Sequence, residues 1–188
     1  MLERTAELNN GMIVVLRSLE KKDQPLVFNM FRSCTRTTLH QRFRYSFKLT
    51  PEWIAHHCQI DPAREFGIVA EINGRGAHQI VGLSQLVFSP DHESAEFGIL
   101  ITDNWQGKGL GTLMTRHCLD VARNLGAICV TAITTIENSR MVKVFRNEGF
   151  LLDCDWANGV IRAKKKLSTP ANPPRDSTCK NARLRRSA

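Results

Sequence analysis

No apolar run in the 188-residue sequence approaches the roughly 20 residues that a membrane-spanning helix needs. The first residues, MLERTAELNNGM, lack the apolar core of a secretory signal. Both absences point to a cytoplasmic protein. No C-x-x-C pair occurs among Cys34, Cys58, Cys118, Cys129, Cys154 and Cys179, and several of these sit in apolar runs. That spacing argues against a zinc site or a disulfide framework and for buried free thiols, so no metal is expected. The only histidine cluster is His56-His57, and adjacent helical residues point about 100° apart, which is unsuited to a shared metal. The body also lacks excess charge. The net charge is +8, but residues 164–188 hold eight Lys or Arg against one Asp, so +7 of it lies there. Residues 168–188 contain three prolines and few apolar side chains, the composition of a disordered or weakly docked basic tail. Residues 1–167 are then one domain. The aromatic-plus-basic strand pattern of an RNA reader is missing, so neither nucleic acid nor membrane is an expected partner.

What is present alternates between strand-like and helix-like segments. Met12 to Leu16 suits a first strand. Asp23 is placed to cap a helix carrying Leu26, Val27, Met30 and Phe31 on one stripe. A helical region follows between Arg36 and Cys58, with Pro51 in a first helical turn. Gly67–Ile72, Gln79–Phe88 and Ala95–Ile101, separated by Asn73-Gly74 and Ser89-Pro90-Asp91, suggest an antiparallel meander. The pattern then changes. Leu110, Leu113, Met114, His117, Cys118, Val121, Ala122 and Leu125 recur at spacings of three and four, which predicts a long amphipathic helix ending at Gly126. His117 falls in the stripe and is expected in or beside the core. Ile128–Ile133 suits a buried strand, Ser139–Glu148 a further helix, and Phe150–Cys154 and Val160–Ala163 closing strands. The order predicts an α/β (α+β) fold: a mixed, mostly antiparallel twisted sheet of six to seven strands with helices on both faces.

Gln106-Gly107-Lys108-Gly109-Leu110-Gly111 stands between a strand and the long helix. Its glycines let backbone N–H groups approach an anion, and the helix N-terminus adds about half a positive charge. Such a loop suits a phosphate or pyrophosphate, with the Lys108 charge nearby. A Walker A loop is excluded because no Gly-Lys-Ser/Thr follows, and G-x-G-x-x-G fails because Thr112 stands where its third glycine would be.

What remains, Q-x-x-G-x-G, resembles the pyrophosphate-binding motif of GNAT acetyltransferases, with Gly109 and Gly111 as its glycines. Asn138 to Phe150 resembles the family's next motif, in which an Asn ends a strand and opens a helix that Gly-Phe closes. The resemblance covers roughly residues 12–166. Leu39-His40-Gln41-Arg42, Phe43-Arg44-Tyr45-Ser46, Ala95–Ile99 and Asp103–Gly111 are most similar to the GNAT domain of bacterial protein lysine acetyltransferases, which are often fused to an acyl-CoA-synthetase-like domain that has no counterpart here.

The resemblance implies acetyl-CoA as co-substrate and an N-acetyltransferase that modifies a protein lysine, such as one on an acyl-CoA synthetase, by direct transfer in a ternary complex. Ile99, Leu100 and Ile101 would lie beside the pantetheine. Gln106, Gly107, Lys108, Gly109, Leu110, Gly111 and Thr112 would hold the pyrophosphate, and Asn138, Met141 and Phe145 would complete the site. Glu96 matches the catalytic glutamate; partial burial in its apolar strand would raise its pKa toward that of a useful base. An N–H near Leu100 would stabilise the oxyanion. Phe145 stands seven residues past Asn138, where many relatives carry the tyrosine that protonates the thiolate, and the sole tyrosine, Tyr45, lies elsewhere. Two other readings stand beside this one: a small-amine acetyltransferase acting on a polyamine or antibiotic, and a non-catalytic acyl-CoA-binding module. A homodimer is compatible with each of the three readings.

Overall fold

The strand-forming runs assemble into one eight-stranded sheet of order β1-β2-β3-β4-β5-β6-β8-β7. The computed structural model describes residues 3–45, 48–74 and 77–167; the predicted tail, 168–188, lies outside the described residues. The strands are β1 (Arg4–Glu7), β2 (Ile13–Ser18), β3 (Glu65–Gly74), β4 (Ala77–Phe88), β5 (Ser94–Ile101), β6 (Cys129–Thr135), β7 (Leu151–Asp155) and β8 (Val160–Lys166). Every neighbouring pair is antiparallel except β5 with β6. The predicted count of six to seven strands is short by β1, a four-residue edge strand whose RTAE sequence has no apolar periodicity to betray it.

Helices cover both faces. α1 (Gln24–Arg32), α2 (Arg36–Phe43) and α3 (Pro51–His57) lie on one, and α4 (Leu110–Asn124) and α5 (Ser139–Asn147) on the other. The predicted helical region 36–58 is two helices, each opened by a threonine that accepts a backbone N–H: Thr35 from Thr38 and Thr50 from Trp53. Alternation along the strands feeds both layers. In β3, Ile68, Ala70 and Ile72 join the α4–α5 side, and Val69 joins Val27, Met30, Phe31 and Ile54 on the other. Burial of each such large side chain contributes roughly 1.5–3 kcal/mol.

The α4 stripe is buried as its spacing predicts, His117 included, with Leu113 half-buried at its edge. Leu125 departs from it at 46% exposed, because it is the C-cap residue and the chain turns away through Gly126 at φ +97°. Gly82 lets α4 approach the sheet: a Cβ there would sit 2.7 Å from the Met114 sulfur.

Asp23 does not cap α1 with its side chain. Its carboxylate, 2% exposed, accepts from both terminal nitrogens of Arg17 at 2.7 and 2.9 Å and from the Glu20 N–H at 2.9 Å. Arg17 Nε also donates to Glu71 at 2.6 Å. Burial opposes the charge on Asp23 and Glu71, but these bonds outweigh it and hold both carboxyls below their ordinary range. Arg17→Met would leave the Asp23 charge buried and unpaired, at a cost of about 3–5 kcal/mol. The expected result is a melting temperature lower by roughly 10 °C. Because both acids have depressed folded-state pKa values, their stabilisation is present above the unfolded values of about 4 and is lost as pH falls through the folded ones. Melting scans from pH 6 to pH 3 should therefore show a steeper loss in wild type than in Arg17→Met.

Candidate functional site

β5 and β6 pair only from Ser94–Phe97 to Cys129–Ala132. Beyond that the two strands part, although β5 stays paired with β4 and β6 with β8. The parting opens a cleft of about 480 Å³ whose floor is the free edge of β5. The phase of that edge follows from two bonds. Ile128 N–H donates to the Glu93 carbonyl on the β6 side, and Thr102 N–H donates to the Val81 carbonyl on the β4 side. Alternation then turns the backbone groups of Ile99 and Ile101 into the cleft and those of Leu100 toward β4. The expected N–H near Leu100 is thus displaced by one residue, to Ile99 or Ile101, and the Leu100 side chain packs with Val27 and Phe31.

The glycine loop closes one end. Gly107 and Gly109 have φ +73° and +89°, which disfavour any side chain, and Gly109 is the N-cap of α4. Among the described residues no side chain caps this helix. The first bond from its start is Leu113 N–H to Gly109 carbonyl, so the N–H groups of Leu110, Gly111 and Thr112 have no helical acceptor. Gly111 has no such φ, and a Cβ there would meet Ile101 Cδ1 at an ordinary 3.6 Å. Gly107, Gly109, Gly111 and Thr112 line the cleft. Two predicted residues do not. The Leu110 side chain is wholly buried in the core, and the Lys108 ammonium lies 5.1 Å over the Trp105 ring instead of reaching the cleft.

Gln106 faces the cleft but is held on three sides. Its amide nitrogen donates to the Ile101 carbonyl at 2.9 Å and to Thr38 Oγ1 at 3.2 Å, and its oxygen accepts from Arg140 at 2.7 Å. It is a brace joining β5, α2 and α5 around the loop. Asp103 adds a second brace, accepting from the Thr35 N–H and from both threonine hydroxyls, Thr35 and Thr38, at 2.7–2.9 Å. Burial disfavours its charge, yet these donors prevail and hold the carboxyl below its ordinary range.

On the opposite wall Asn138 caps α5, accepting from Met141 N–H at 3.2 Å and donating to Thr134 Oγ1 at 3.0 Å. Thr134 is buried, lines the cleft and keeps its own hydroxyl proton to donate. Met141 and Phe145 line the cleft too, with the Phe145 ring 4.9 Å from that of Phe150. Glu96 is the only carboxylate among the described residues lining the cleft. Its side chain is exposed, contrary to the expectation of partial burial. Ala95 and Phe97 point into the α4–α5 core, and Glu96, out of phase with them, points to the other face. Among the described residues no cysteine lines the cleft, and burial pushes the Cys118 and Cys34 thiols up to about 12 and that of Cys58 up to about 11, which disables them as nucleophiles at neutral pH.

Asn9, Thr38, Arg42, Arg44 and Thr134 are cleft residues that the sequence reading missed. Thr35 has a readable N-cap pattern, but its partner Asp103 lies 68 residues away. Among the described residues no three His, Cys, Asp or Glu lie together as a metal site would need, and no helix is long and apolar enough to cross a membrane.

The chain is 27% identical over 135 residues to an acetyltransferase of Pseudomonas aeruginosa, covering 71% of this chain and 73% of that one. Its fold is similar to the GNAT domain of S. lividans PAT, with TM-score 0.79 and 21% identity over 88% of this chain and 97% of that one. It is also similar to spermidine N-acetyltransferase from Vibrio cholerae in complex with CoA and spermine, with TM-score 0.66 and 24% identity over 83% and 96% of the two chains. The acetyltransferase (GNAT) domain family matches residues 14–151. A match of that extent, on a sheet parted at β5 and β6 beside an uncapped glycine-loop helix, means that the chain belongs to the GNAT acetyltransferase family, enzymes that move an acyl group from acyl-coenzyme A to an amine.

Proposed function

We propose that the cleft binds acetyl-CoA and delivers its acetyl group to a protein lysine, with Glu96 as general base. The pyrophosphate would meet the free N–H groups of Leu110, Gly111 and Thr112, where the α4 dipole adds to their attraction. The pantetheine would run along the open edge of β5 toward Met141 and Phe145. An N–H of Ile99 or Ile101 would receive the oxyanion. A lysine amine is protonated at neutral pH and must lose a proton before it attacks the thioester carbon. The attack forms the C–N bond, and collapse of the oxyanion breaks the C–S bond. Phe145 has no proton for the departing thiolate; Thr134 has a hydroxyl that can donate a hydrogen bond to it.

The single observation carrying this reading is that, among the described residues, one carboxylate stands in a cleft otherwise lined by neutral and cationic groups. A polyamine pocket would call for several converging carboxylates. The likeness to a spermidine acetyltransferase is one of fold, and the residues here differ from that requirement. The test is thiol release from acetyl-CoA with the full chain against an acyl-CoA synthetase, bulk cell protein, spermidine and an aminoglycoside. Release with the protein acceptors, and acetyl-lysine in the product by mass spectrometry, is the expected result. Release with spermidine or the aminoglycoside alone would replace this reading by the small-amine one.

A further inference from the structure

Arg42 is a guanidinium that forms no ion pair among the described residues, at the acceptor end of the cleft. It leaves α2 and lies across Gly98 of β5, where a Cβ would collide with one terminal nitrogen and the central carbon of the guanidinium. Gly98 therefore has a steric reason that no turn or positive φ supplies. The ring of Phe43 supports the cation at 5.0 Å. A guanidinium carries five N–H donors. Among the described residues the only hydrogen bond Arg42 makes is one to Gln85 Oε1, at a long 3.4 Å. No ion pair of the described residues includes it. Arg44 lines the same end of the cleft, so two cations stand together with Glu96 as the one acid among the described lining residues. Burial pushes the Arg42 pKa down, and the nearby Glu96 carboxylate acts against that.

A partly desolvated fork with most donors unspent, aimed into a cleft, matches a planar carboxylate. Glu96 and Gly98 lie on one face of β5, two residues apart, which sets them about 7 Å from each other. An amine presented to Glu96 would thus have Arg42 within reach of a neighbouring group on the same molecule. We infer that Arg42 is an acceptor-binding residue for a carboxylate, and that the enzyme acts on amines carrying a carboxylate several ångströms away, such as a lysine beside an aspartate or glutamate. The inference deepens the function proposed above and rests on Glu96 receiving the amine. It also runs against a polycation, which would face Arg42 and Arg44 with a single carboxylate to hold it.

The experiment measures kcat/KM of the full chain with acetyl-CoA on two lysine hexapeptides that differ only in Asp-Glu against Asn-Gln flanks, on 6-aminohexanoate and its amide, and on spermidine. The acidic member of each pair should be favoured by about 10- to 100-fold, the range for a charge-assisted hydrogen bond, mostly through KM. Arg42→Gln should bring the ratio within each pair close to one, and Arg42→Lys should leave it in between. Gly98→Ala should erode it in the same direction by displacing the guanidinium. A binding readout stands beside turnover: the acetylated product of 6-aminohexanoate should raise the wild-type melting temperature more than its amide does. Turnover of 6-aminohexanoate over its amide without turnover of either peptide would refute the protein-lysine reading and uphold the Arg42 assignment. Equal rates within each pair in wild type, faster turnover of spermidine, or an equal loss on both members in Arg42→Gln would overturn the assignment.

Discussion

Replacing Glu96 with glutamine should slow acetyl transfer by about 10²–10⁴-fold, the usual contribution of a general base, and leave acetyl-CoA affinity almost unchanged. Glutamine keeps the shape of the side chain and removes its basicity. Glu96 is exposed and its side chain makes no hydrogen bond or ion pair among the described residues, so glutamine breaks no direct contact and should leave the fold intact; what it removes is the charge facing Arg42. Its position on the cleft wall also means that the arriving acceptor, not the strand, excludes water from it. The defect should shrink as pH rises. Below a lysine pKa of about 10.4 the neutral amine fraction grows nearly tenfold per pH unit, and an amine already neutral needs no base. Plots of log kcat/KM against pH for the two enzymes should converge on the alkaline side. Glu93→Gln is the control. Glu93 is exposed at the turn before β5, and what it offers β6 is its backbone carbonyl, which accepts from Ile128 and Cys129. That variant should match wild type. A full-speed Glu96→Gln enzyme would remove Glu96 from the mechanism, and a joint fall of turnover and acetyl-CoA affinity would make it a structural residue of β5.

The parts of this protein legible in sequence are the ones whose physics is local. The α4 stripe repeats over four turns, and the positive-φ glycines ahead of it mark the loop without reference to any other segment. β3, β4 and β5 were visible as apolar runs bounded by turn residues, because strands covered on both faces carry few polar positions. Long-range partners were not visible. Asp23 has the spacing of an N-cap, yet Arg17 and the Glu20 N–H claim its carboxylate. Lys108 sits in the loop as if to meet a phosphate, yet Trp105 takes its charge. The phase of β5, which decides between Leu100 and Ile99, depends on the bonds of Glu93 and Thr102 to two different strands. Arg42 and Gly98 are 56 residues apart in the chain, and neither has a neighbour in sequence that announces the other.

Gly109→Val should lower acetyl-CoA affinity by at least 100-fold while the protein remains folded. Gly109 has φ +89°, and a Cβ there would sit 3.2 Å from the Asn9 amide. A β-branched residue is among the least tolerant of that backbone region, so the loop must rotate away or push Asn9 aside. The Asn9 N–H reaches the Lys108 carbonyl at 3.4 Å, and Asn9 itself lines the cleft, so either movement reaches the anion site. The N–H groups of Leu110, Gly111 and Thr112 would then lose their aim. A hydrogen bond to a charged group contributes about 1.5–3 kcal/mol, and misdirecting two of them is enough for the stated loss. Gly126→Val separates this from backbone strain in general. Gly126 has φ +97° with open space around it, at the opposite end of the same helix. Both variants should melt below wild type, and only Gly109→Val should fail to bind. Gly111→Ala should bind nearly as wild type does, because its Cβ finds ordinary contacts with Ile101 and Val144. Calorimetry with acetyl-CoA on the three variants decides the matter: normal affinity in Gly109→Val, or an equal loss in Gly126→Val, would move the pyrophosphate site away from the start of α4.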